Sequence, residues 1–409
     1  MVQDSSPHLF AGRIFMKLSN WRLSHFNNGQ VDSAMHYPPE LLKIASLEKS
    51  AAAIEMIKQW PGYAATPLHN LSALANEIGV AKIWYKDESK RFHLKSFKAL
   101  GGAYAVARQL QARILQSSGE IADIRDLLDN RFADIVSEIV MSCATDGNHG
   151  LSVAWGCQMF ACRCTIYIHR NVSEGRKQAM EALGAEVIRI SGNYDDSVKH
   201  AHQEAQVHQP IIVSDTSYPG YMDIPRDVAL GYTVLLAESV AQMDSAIPTH
   251  VFIQGGVGGL ASSVCAYFWE LWGSRRPRFI VVEPEAANCL QQSARAGHPV
   301  TVEGDHDTLM AGLACGEVSL LAWEILKIGA NDFLTLSEDA VAPCMRLLAT
   351  GDPAIEAGES AVAGIAALIS ARADNSMAAA LGLDQSSRVF IIGTEGATDP
   401  DLYQQLISA

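Results

Sequence analysis

One lysine, Lys98, lies where the sequence pattern changes from strand-like to helix-like. A lysine near a helix start is commonly a solvated surface residue, but the apolar neighbours Phe97 and Leu100 predict a partly buried side chain. Burial lowers the pKa of an amine and makes it a nucleophile and proton carrier near neutral pH. The following Gly101-Gly102 pair would let a small molecule approach the backbone closely. Lys98 is therefore a candidate for holding an aldehyde as a Schiff base.

A second candidate site is a glycine-rich segment that follows an apolar strand far downstream. It consists of Gly255, Gly256, Val257, Gly258 and Gly259. Glycines adopt positive φ readily and can turn successive backbone N–H groups toward one anion beside a helix N-terminus. The spacing does not fit a dinucleotide-binding fingerprint, and there is no Walker lysine. A purely structural turn is the alternative to a phosphate site. A lysine for an aldehyde and a nest for a phosphate together indicate pyridoxal 5′-phosphate as the cofactor.

The end of an earlier strand carries small and polar residues whose backbone N–H groups suit a substrate carboxylate. This candidate substrate-binding loop consists of Ala144, Thr145, Asp146 and Gly147. Asn148 follows this loop and can donate a hydrogen bond to a phenolate oxygen of the cofactor. His149 could be a base, but capping or bridging the loop is at least as good an explanation, so it is not assigned a catalytic role. Asp146 would repel a plain amino acid, so it favours a substrate with an extra ammonium group or a carboxylate that takes a proton. A helix N-cap is the alternative role for Asp146.

Two further strand ends supply candidate site residues. Asp215 could place a second negative charge in the cleft, although a turn aspartate is a serious alternative. Thr394 could hydrogen-bond the pyridine nitrogen, and a hydroxyl there leaves the ring unprotonated, which suits β-elimination better than transamination. With Asp146, the Asp215 carboxylate fits a substrate that carries two ammonium groups.

Length and composition are those of an ordinary globular enzyme. The chain has 409 residues, of which 48% are hydrophobic and 19% charged, which is enough for two domains with substantial cores. Its formal net charge of −14 argues against nucleic acid or an anionic membrane surface as a partner. No apolar run approaches the roughly 20 residues of a membrane span, and residues 1–20 show no signal pattern. We therefore expect a cytoplasmic protein.

The eight cysteines form no CxxC pair and fall mostly in apolar segments, which predicts buried, reduced thiols. Cys162 and Cys164 resemble half of a metal site, but no second half with suitable histidine or cysteine spacing follows them. No metal site is predicted.

Strand-like apolar runs alternate with helical segments in two blocks, which predicts βαβ units and a mainly parallel twisted sheet in each of two α/β domains. Strands are predicted at 135–143, 164–168, 186–190, 211–213, 251–253, 279–282 and 388–392. Residues 1–40 have no clear period and are predicted to form an irregular N-terminal arm. We assign 41–85 and 235–409 to a large cofactor-binding domain and 86–234 to a small domain.

These motifs together resemble the fold type II, tryptophan-synthase-β-like pyridoxal phosphate enzymes and, more closely, the diaminopropionate ammonia-lyase family. The resemblance runs from Thr66-Pro67-Leu68 through the segment 86–98 to Thr394-Glu395-Gly396 and covers most of the chain beyond the arm. The run 146–149 is the part of the resemblance that is specific to the ammonia-lyases, because related serine and threonine dehydratases have a small residue in place of Asp146. One departure is His93, where glycine would be expected.

The resemblance implies roles for the candidate residues. Phe97 contributes to the cofactor site. Lys98 holds the cofactor and removes the Cα proton of the L substrate. Asp146 is the base for the D enantiomer, on the other face of the cofactor plane. Asp215 would hold or protonate the β-amino group. The implied reaction is α,β-elimination of D- or L-2,3-diaminopropionate to pyruvate and two ammonia by a homodimer. A dehydratase acting on serine, threonine or 3-hydroxyaspartate is the alternative, and a non-catalytic cofactor-binding protein is a third reading.

Overall fold

The computed structural model describes residues 21–145, 147–192 and 194–408. Residues 1–20 of the N-terminal arm, Asp146, residue 193 and the side chains of residues 194 and 195 lie outside the described part. Five strands form parallel pairs in a larger, seven-stranded sheet, and an antiparallel strand closes each edge, in the order β1-β10-β9-β8-β11-β3-β2. Its strands are β1 (Leu23–Asn27), β2 (Leu68–Asn70), β3 (Lys82–Asp87), β8 (His250–Gln254), β9 (Arg278–Pro284), β10 (Asp332–Leu336) and β11 (Arg388–Gly393).

A second sheet has four strands, all parallel, in the order β6-β5-β4-β7. They are β4 (Val140–Thr145), β5 (Arg163–Ile168), β6 (Glu186–Arg189) and β7 (Ile211–Ile212). All four fall within 86–234, the range assigned to the small domain. Of the larger sheet, β2 and β8–β11 fall within the ranges assigned to the large domain. Strand β1 lies in the arm, and β3 ends two residues beyond the boundary at 85. The domain boundaries themselves stay a prediction.

The helices alternate with these strands and cover the sheets. In the first half of the chain they are α1 (Leu47–Ile57), α2 (Ser72–Ile78), α3 (Lys98–Ser118), α4 (Ile124–Leu128), α5 (Ala133–Val136), α6 (Asn148–Phe160), α7 (Glu174–Ala182), α8 (Tyr194–His208), α9 (Asp223–Gly231) and α10 (Thr233–Gln242). In the second half they are α11 (Gly259–Trp272), α12 (Cys289–Ala296), α13 (Leu320–Gly329), α14 (Val341–Ala349), α15 (Ala363–Ala373), α16 (Asn375–Leu381) and α17 (Pro400–Ser408). Short 3₁₀ helices occur at Pro39–Leu41, Glu88–His93, Gly273–Arg275, Ala311–Leu313 and Glu338–Ala340.

Side chains alternate across the larger sheet and enter two apolar cores. Phe252 packs into one core, while its neighbours Val251 and Ile253 pack into the other. This is the period of two that a strand imposes, and β8 is apolar on both faces because helices cover both. The second of these cores also contains Met141 and Ile166 from the four-stranded sheet. The two sheets are therefore joined by a continuous apolar core.

Several local predictions need correction. The arm is not irregular throughout, because β1 pairs antiparallel with β10 and extends the larger sheet at its edge. The predicted strand at 135–143 begins only at Val140, since α5 occupies Ala133–Val136. Apolar runs of this length are ambiguous between helix and strand from periodicity alone.

The cysteine prediction is confirmed. All eight are free; Cys162 and Cys315 are partly exposed and the others are buried. In the described ranges, no helix combines the length and the apolar character that a membrane crossing requires.

Candidate active site

Lys98 is the first residue of α3, and the turn that presents it is held by the end of β11. The backbone N–H of Phe97 donates to the Thr394 carbonyl at 3.0 Å, and that of Gly396 donates to the Lys95 carbonyl at 2.9 Å. Just before the turn, His93 has a φ of +61°, in the left-handed region that favours glycine. The departure at His93 therefore falls at a backbone position where glycine would be the unstrained residue.

The Lys98 amine forms a close ion pair with the Asp215 carboxylate. It also lies 5.6 Å from the centre of the Phe97 ring. Burial disfavours the ammonium, but the adjacent Asp215 carboxylate outweighs it and raises the pKa of Lys98 above its ordinary value. The expectation of a lowered pKa is therefore wrong, because the effect of the Asp215 carboxylate exceeds that of burial. Burial likewise opposes ionisation of Asp215, yet Lys98 holds the pKa of that carboxyl below its ordinary value.

The glycine segment forms a turn between β8 and α11. Gly256 and Gly258 have φ values of +61° and +96°. The backbone N–H groups of Gly256 and Val257 donate to no acceptor within the described ranges, and that of Gly259 lies in the first turn of α11, where helical N–H groups lack internal partners. These amides, at a helix N-terminus, suit one phosphate group.

Two glycines of this turn are also required by packing. A Cβ at Gly255 would lie 2.5 Å from Glu283 Cγ, and one at Gly258 would lie 2.9 Å from Ala322 Cβ. Gly258 is not on the wall of the cavity that the described residues form, whereas Gly255, Gly256, Val257 and Gly259 are. Gly258 therefore shapes the turn from behind.

The candidate substrate loop lies at the carboxyl end of β4. Ala144, Thr145 and Gly147 line the cavity, while Asp146 is outside the described residues. The Thr145 hydroxyl accepts hydrogen bonds from the backbone N–H groups of Gly147 and Gly150, at 3.0 and 3.1 Å. Thr145 therefore secures the start of α6 as well as facing the cavity.

Asn148 begins α6 and donates a hydrogen bond from its side-chain nitrogen to the Glu395 carboxylate. The same carboxylate accepts a bond from the Ser360 backbone N–H at 3.1 Å. Asn148 lines the cavity, as the prediction requires. Local sequence predicts no role for Glu395, because its partner Asn148 lies 247 residues away in the chain.

One buried hydroxyl tests whether the residues fit pyridoxal phosphate. The Thr394 hydroxyl lines the cavity and has no partner in the described chain. A pyridine nitrogen would supply the acceptor that this hydroxyl lacks. With Lys98 and the free amides of the glycine turn on the same cavity, the residues present fit the cofactor at its aldehyde, its ring nitrogen and its phosphate.

Gly101 and Gly102, which we expected beside a bound molecule, have a different role. A Cβ at Gly101 would lie 2.4 Å from Tyr232 Cε1, and one at Gly102 would lie 2.5 Å from Ser152 Oγ. Neither glycine lines the cavity within the described ranges. They allow α3 to pack closely against α9, Tyr232 and α6.

Sequence reasoning missed an ion pair at the wall of the cavity. Arg176 of α7 contacts Glu359 at 3.0 Å, just ahead of α15, and Arg176 lines the cavity. Burial, with the nearby Glu395 carboxylate, raises the pKa of Glu359 to about 7. The segment 311–315 and Tyr232 also line the cavity. Spacing in the sequence carries no signal for these residues, because each is brought to the cavity by a different loop or helix junction.

The fold and the residues of the cavity fit a class of enzyme that binds pyridoxal phosphate at the carboxyl ends of parallel strands. The sequence profile described as "Pyridoxal-phosphate dependent enzyme" matches residues 59–394, and the chain belongs to that family. The predicted fold class and the predicted cofactor are thereby confirmed.

Individual relatives narrow the resemblance. The chain is 38% identical over 362 residues to the diaminopropionate ammonia-lyase of Salmonella typhimurium, covering 86% of this chain and 89% of that protein. The crystal structure of the Escherichia coli diaminopropionate ammonia lyase in complex with D-serine superposes with a TM-score of 0.86 at 35% identity, covering 95% of this chain and 97% of that one. The same lyase in complex with an aminoacrylate-PLP azomethine reaction intermediate gives a TM-score of 0.85, with the same identity and coverage.

Proposed function

We propose that the protein is a pyridoxal-phosphate-dependent ammonia-lyase that eliminates ammonia from 2,3-diaminopropionate. The products are pyruvate and two ammonia, with one water consumed. The observation that carries the substrate class is the Asp215 carboxylate, which is held ionised beside Lys98 on the wall of the cavity. An ionised carboxylate there attracts a substrate with a second ammonium group, whereas a hydroxy amino acid leaves it without a charged partner.

Each residue has a distinct task in this proposal. Bound pyridoxal phosphate supplies an electron sink that acidifies the Cα–H bond of an attached amino acid. Lys98 would hold the cofactor, and its neutral amine would accept the Cα proton of the L enantiomer. Asp215 would bind the β-ammonium group and orient it for departure. The glycine turn would hold the phosphate of the cofactor and Thr394 its ring nitrogen, and Asn148 would orient its phenolate oxygen.

The first test is pyruvate release from purified, cofactor-loaded protein given D- or L-2,3-diaminopropionate, L-serine or L-threonine. Release from both diaminopropionate enantiomers is expected. Activity confined to the hydroxy amino acids would instead assign the protein to the dehydratases. The Lys98→Ala variant is expected to lose both turnover and the visible absorbance that borohydride removes from the unaltered protein; retained absorbance would refute the assignment of Lys98.

We also propose, from the resemblance alone, that Asp146 is the base for the D enantiomer. Asp146→Asn is then expected to reduce turnover of D-diaminopropionate at least about 100-fold, with a much smaller effect on the L enantiomer, because general-base catalysis contributes about 10²–10⁴-fold. Equal losses on the two enantiomers would rule out a separate base.

A homodimer working in the cytoplasm completes the proposal, and it too rests on the resemblance and the acidic composition. Light scattering on the purified holoenzyme is expected to give about twice the chain mass of 44.2 kDa.

A further inference from the structure

Tyr232 lies at the junction of α9 and α10, and its side chain is 1% exposed. It lines the cavity that contains Lys98. Its hydroxyl nevertheless has no hydrogen bond of good geometry in the described ranges, although Lys98 faces it. Buried hydroxyl groups nearly always have partners, so an unpartnered hydroxyl facing a ligand cavity indicates a function.

The ring of Tyr232 is held in place on three sides. Its centroid is 4.7 Å from that of Phe97, at an interplanar angle of 58°. A Cβ at Gly101 would lie only 2.4 Å from its Cε1 atom, and one at Gly259 would lie 3.9 Å from its Cε2 atom. The ring therefore fills the space between the helix that carries Lys98 and the turn that suits a phosphate, and Gly101 is the residue that makes room for it.

The phenol stays protonated in this position. Burial raises the pKa of Tyr232 well above its ordinary value, although the neighbouring Lys98 ammonium opposes that shift. The hydroxyl is therefore able both to donate and to accept a hydrogen bond. The Asp215 carboxylate can only accept, so it stabilises Lys98 as an ammonium, which is neither a nucleophile nor a base.

We propose that the Tyr232 hydroxyl positions the neutral amine of Lys98 by donating a hydrogen bond to it. The charged and titratable groups that face Lys98 are Asp215, Tyr232 and Cys315, and each of them raises the pKa of Lys98 when it is an anion. Burial keeps Tyr232 protonated, so this side chain faces Lys98 as a neutral phenol, and His149 acts on Asp215 from α6. Among those acting on Lys98, Tyr232 is the strong neutral donor, since a thiol is a weak one. The hydroxyl thus serves Lys98 whenever the amine must attack the cofactor or take a proton.

The test is the Tyr232→Phe variant, which removes one oxygen and keeps the ring packing. Cofactor-free protein is mixed with pyridoxal phosphate, and the rate at which the visible absorbance appears is measured from pH 6 to pH 12, because the pKa of Lys98 lies above the ordinary value of an amine. Capture requires the neutral amine, so the variant is expected to be about tenfold slower at pH 7, with the midpoint of its pH profile raised by up to about one unit. An unchanged rate and midpoint would overturn the proposal.

Tyr85→Phe is the matched control. Tyr85 is also fully buried with an unpartnered hydroxyl, but it does not line the cavity in the described ranges. Its removal is expected to leave the capture rate and midpoint unchanged. A shift as large as that of Tyr232→Phe would mean that a buried hydroxyl acts on the fold rather than on Lys98, and would overturn the proposal.

A second variant covers the case in which Tyr232→Phe does not fold. Replacing Tyr232 by 3-fluorotyrosine keeps the hydroxyl and makes it a stronger donor, so the midpoint is expected to move to lower pH. An upward movement would refute the proposed donation. Because capture uses no amino-acid substrate, these results stand whether or not diaminopropionate is the substrate.

Discussion

Asp215 sets the protonation state of Lys98. The two side chains are in contact, and each favours the charged form of the other against the effect of burial. The pair keeps the amine protonated. In the proposed function, Lys98 would hold the cofactor and the Asp215 carboxylate would hold a substrate ammonium group.

The Asp215→Asn substitution removes the carboxylate charge beside Lys98 but leaves the Lys98 amine buried. The pKa of Lys98 is then expected to fall, because the cause that raises it is lost while desolvation still lowers it. Capture of pyridoxal phosphate is expected to extend to lower pH, yet elimination from diaminopropionate is expected to drop about 100-fold or more. Absorbance titration and the pyruvate assay measure the two effects. The exposed Asp134→Asn serves as a control; a capture midpoint that moves upward would contradict the argument.

At the scale of elements, a buried network of charges connects β3 and the following 3₁₀ helix to α10. Glu238 accepts from Lys86 at 2.8 Å and from Arg91 at 2.8 Å, and Arg91 also pairs with Glu88 at 2.9 Å. All four side chains are buried. The network holds the segment that leads into Lys98 against a helix distant in the sequence, which explains the run 86–92 on which part of the resemblance rests.

Glu238→Gln is expected to reduce the free energy of unfolding by about 3 kcal/mol, because two buried cations lose their shared counter-ion. Burial opposes the ionised form, but Arg91 and Lys86 hold the pKa of Glu238 at about 2, below its ordinary value of 4.5. This stability is therefore fully present above about pH 4.5 and is lost as the pH falls toward 2. Urea unfolding at pH 7 and pH 3 measures both effects. The exposed Glu55→Gln should change little, and equal effects of the two variants at pH 7 would contradict the role of the network.

Helix packing provides a second prediction at this scale. Gly101→Ala would place a methyl group 2.4 Å from Tyr232 Cε1 and 2.7 Å from the Val228 carbonyl oxygen. The expected loss of stability is about 1–3 kcal/mol, since the backbone carbonyl cannot move aside cheaply. Gly175→Ala, in α7 with no atom within 4 Å, is the matched control and should be neutral or stabilising. A well-tolerated Gly101→Ala in thermal unfolding would contradict the packing argument.

At the scale of the whole molecule, the cavity is assembled from the carboxyl ends of strands in both sheets. Residues after β4, β8 and β11 meet there, together with the start of α3 and the segment 311–315. This is the edge at which parallel α/β sheets bind ligands. A ligand that contacts all of these segments stabilises their mutual arrangement.

Pyridoxal phosphate is therefore expected to raise the melting temperature of the protein. At a free concentration of 100 times its dissociation constant, a ligand that binds only the folded state adds about 2.7 kcal/mol. Differential scanning calorimetry measures this, and Lys98→Ala is expected to lose part of the gain while keeping the contribution of the phosphate nest. A melting temperature that does not depend on the cofactor would contradict the proposed site.

The sequence by itself determined the alternation of strands and helices, the lysine at a helix start and the glycine turn after β8. These are local signals, because periodicity and turn chemistry depend on neighbours within a few residues. Tertiary structure decided the rest. It paired β1 with β10 across some 300 residues and brought Glu395 to Asn148. It filled the space at Gly101 with Tyr232, and it reversed the expected pKa shift of Lys98 by placing Asp215 against it. Such effects depend on which distant side chains meet, and burial with its charge partners exists only once the chain has folded.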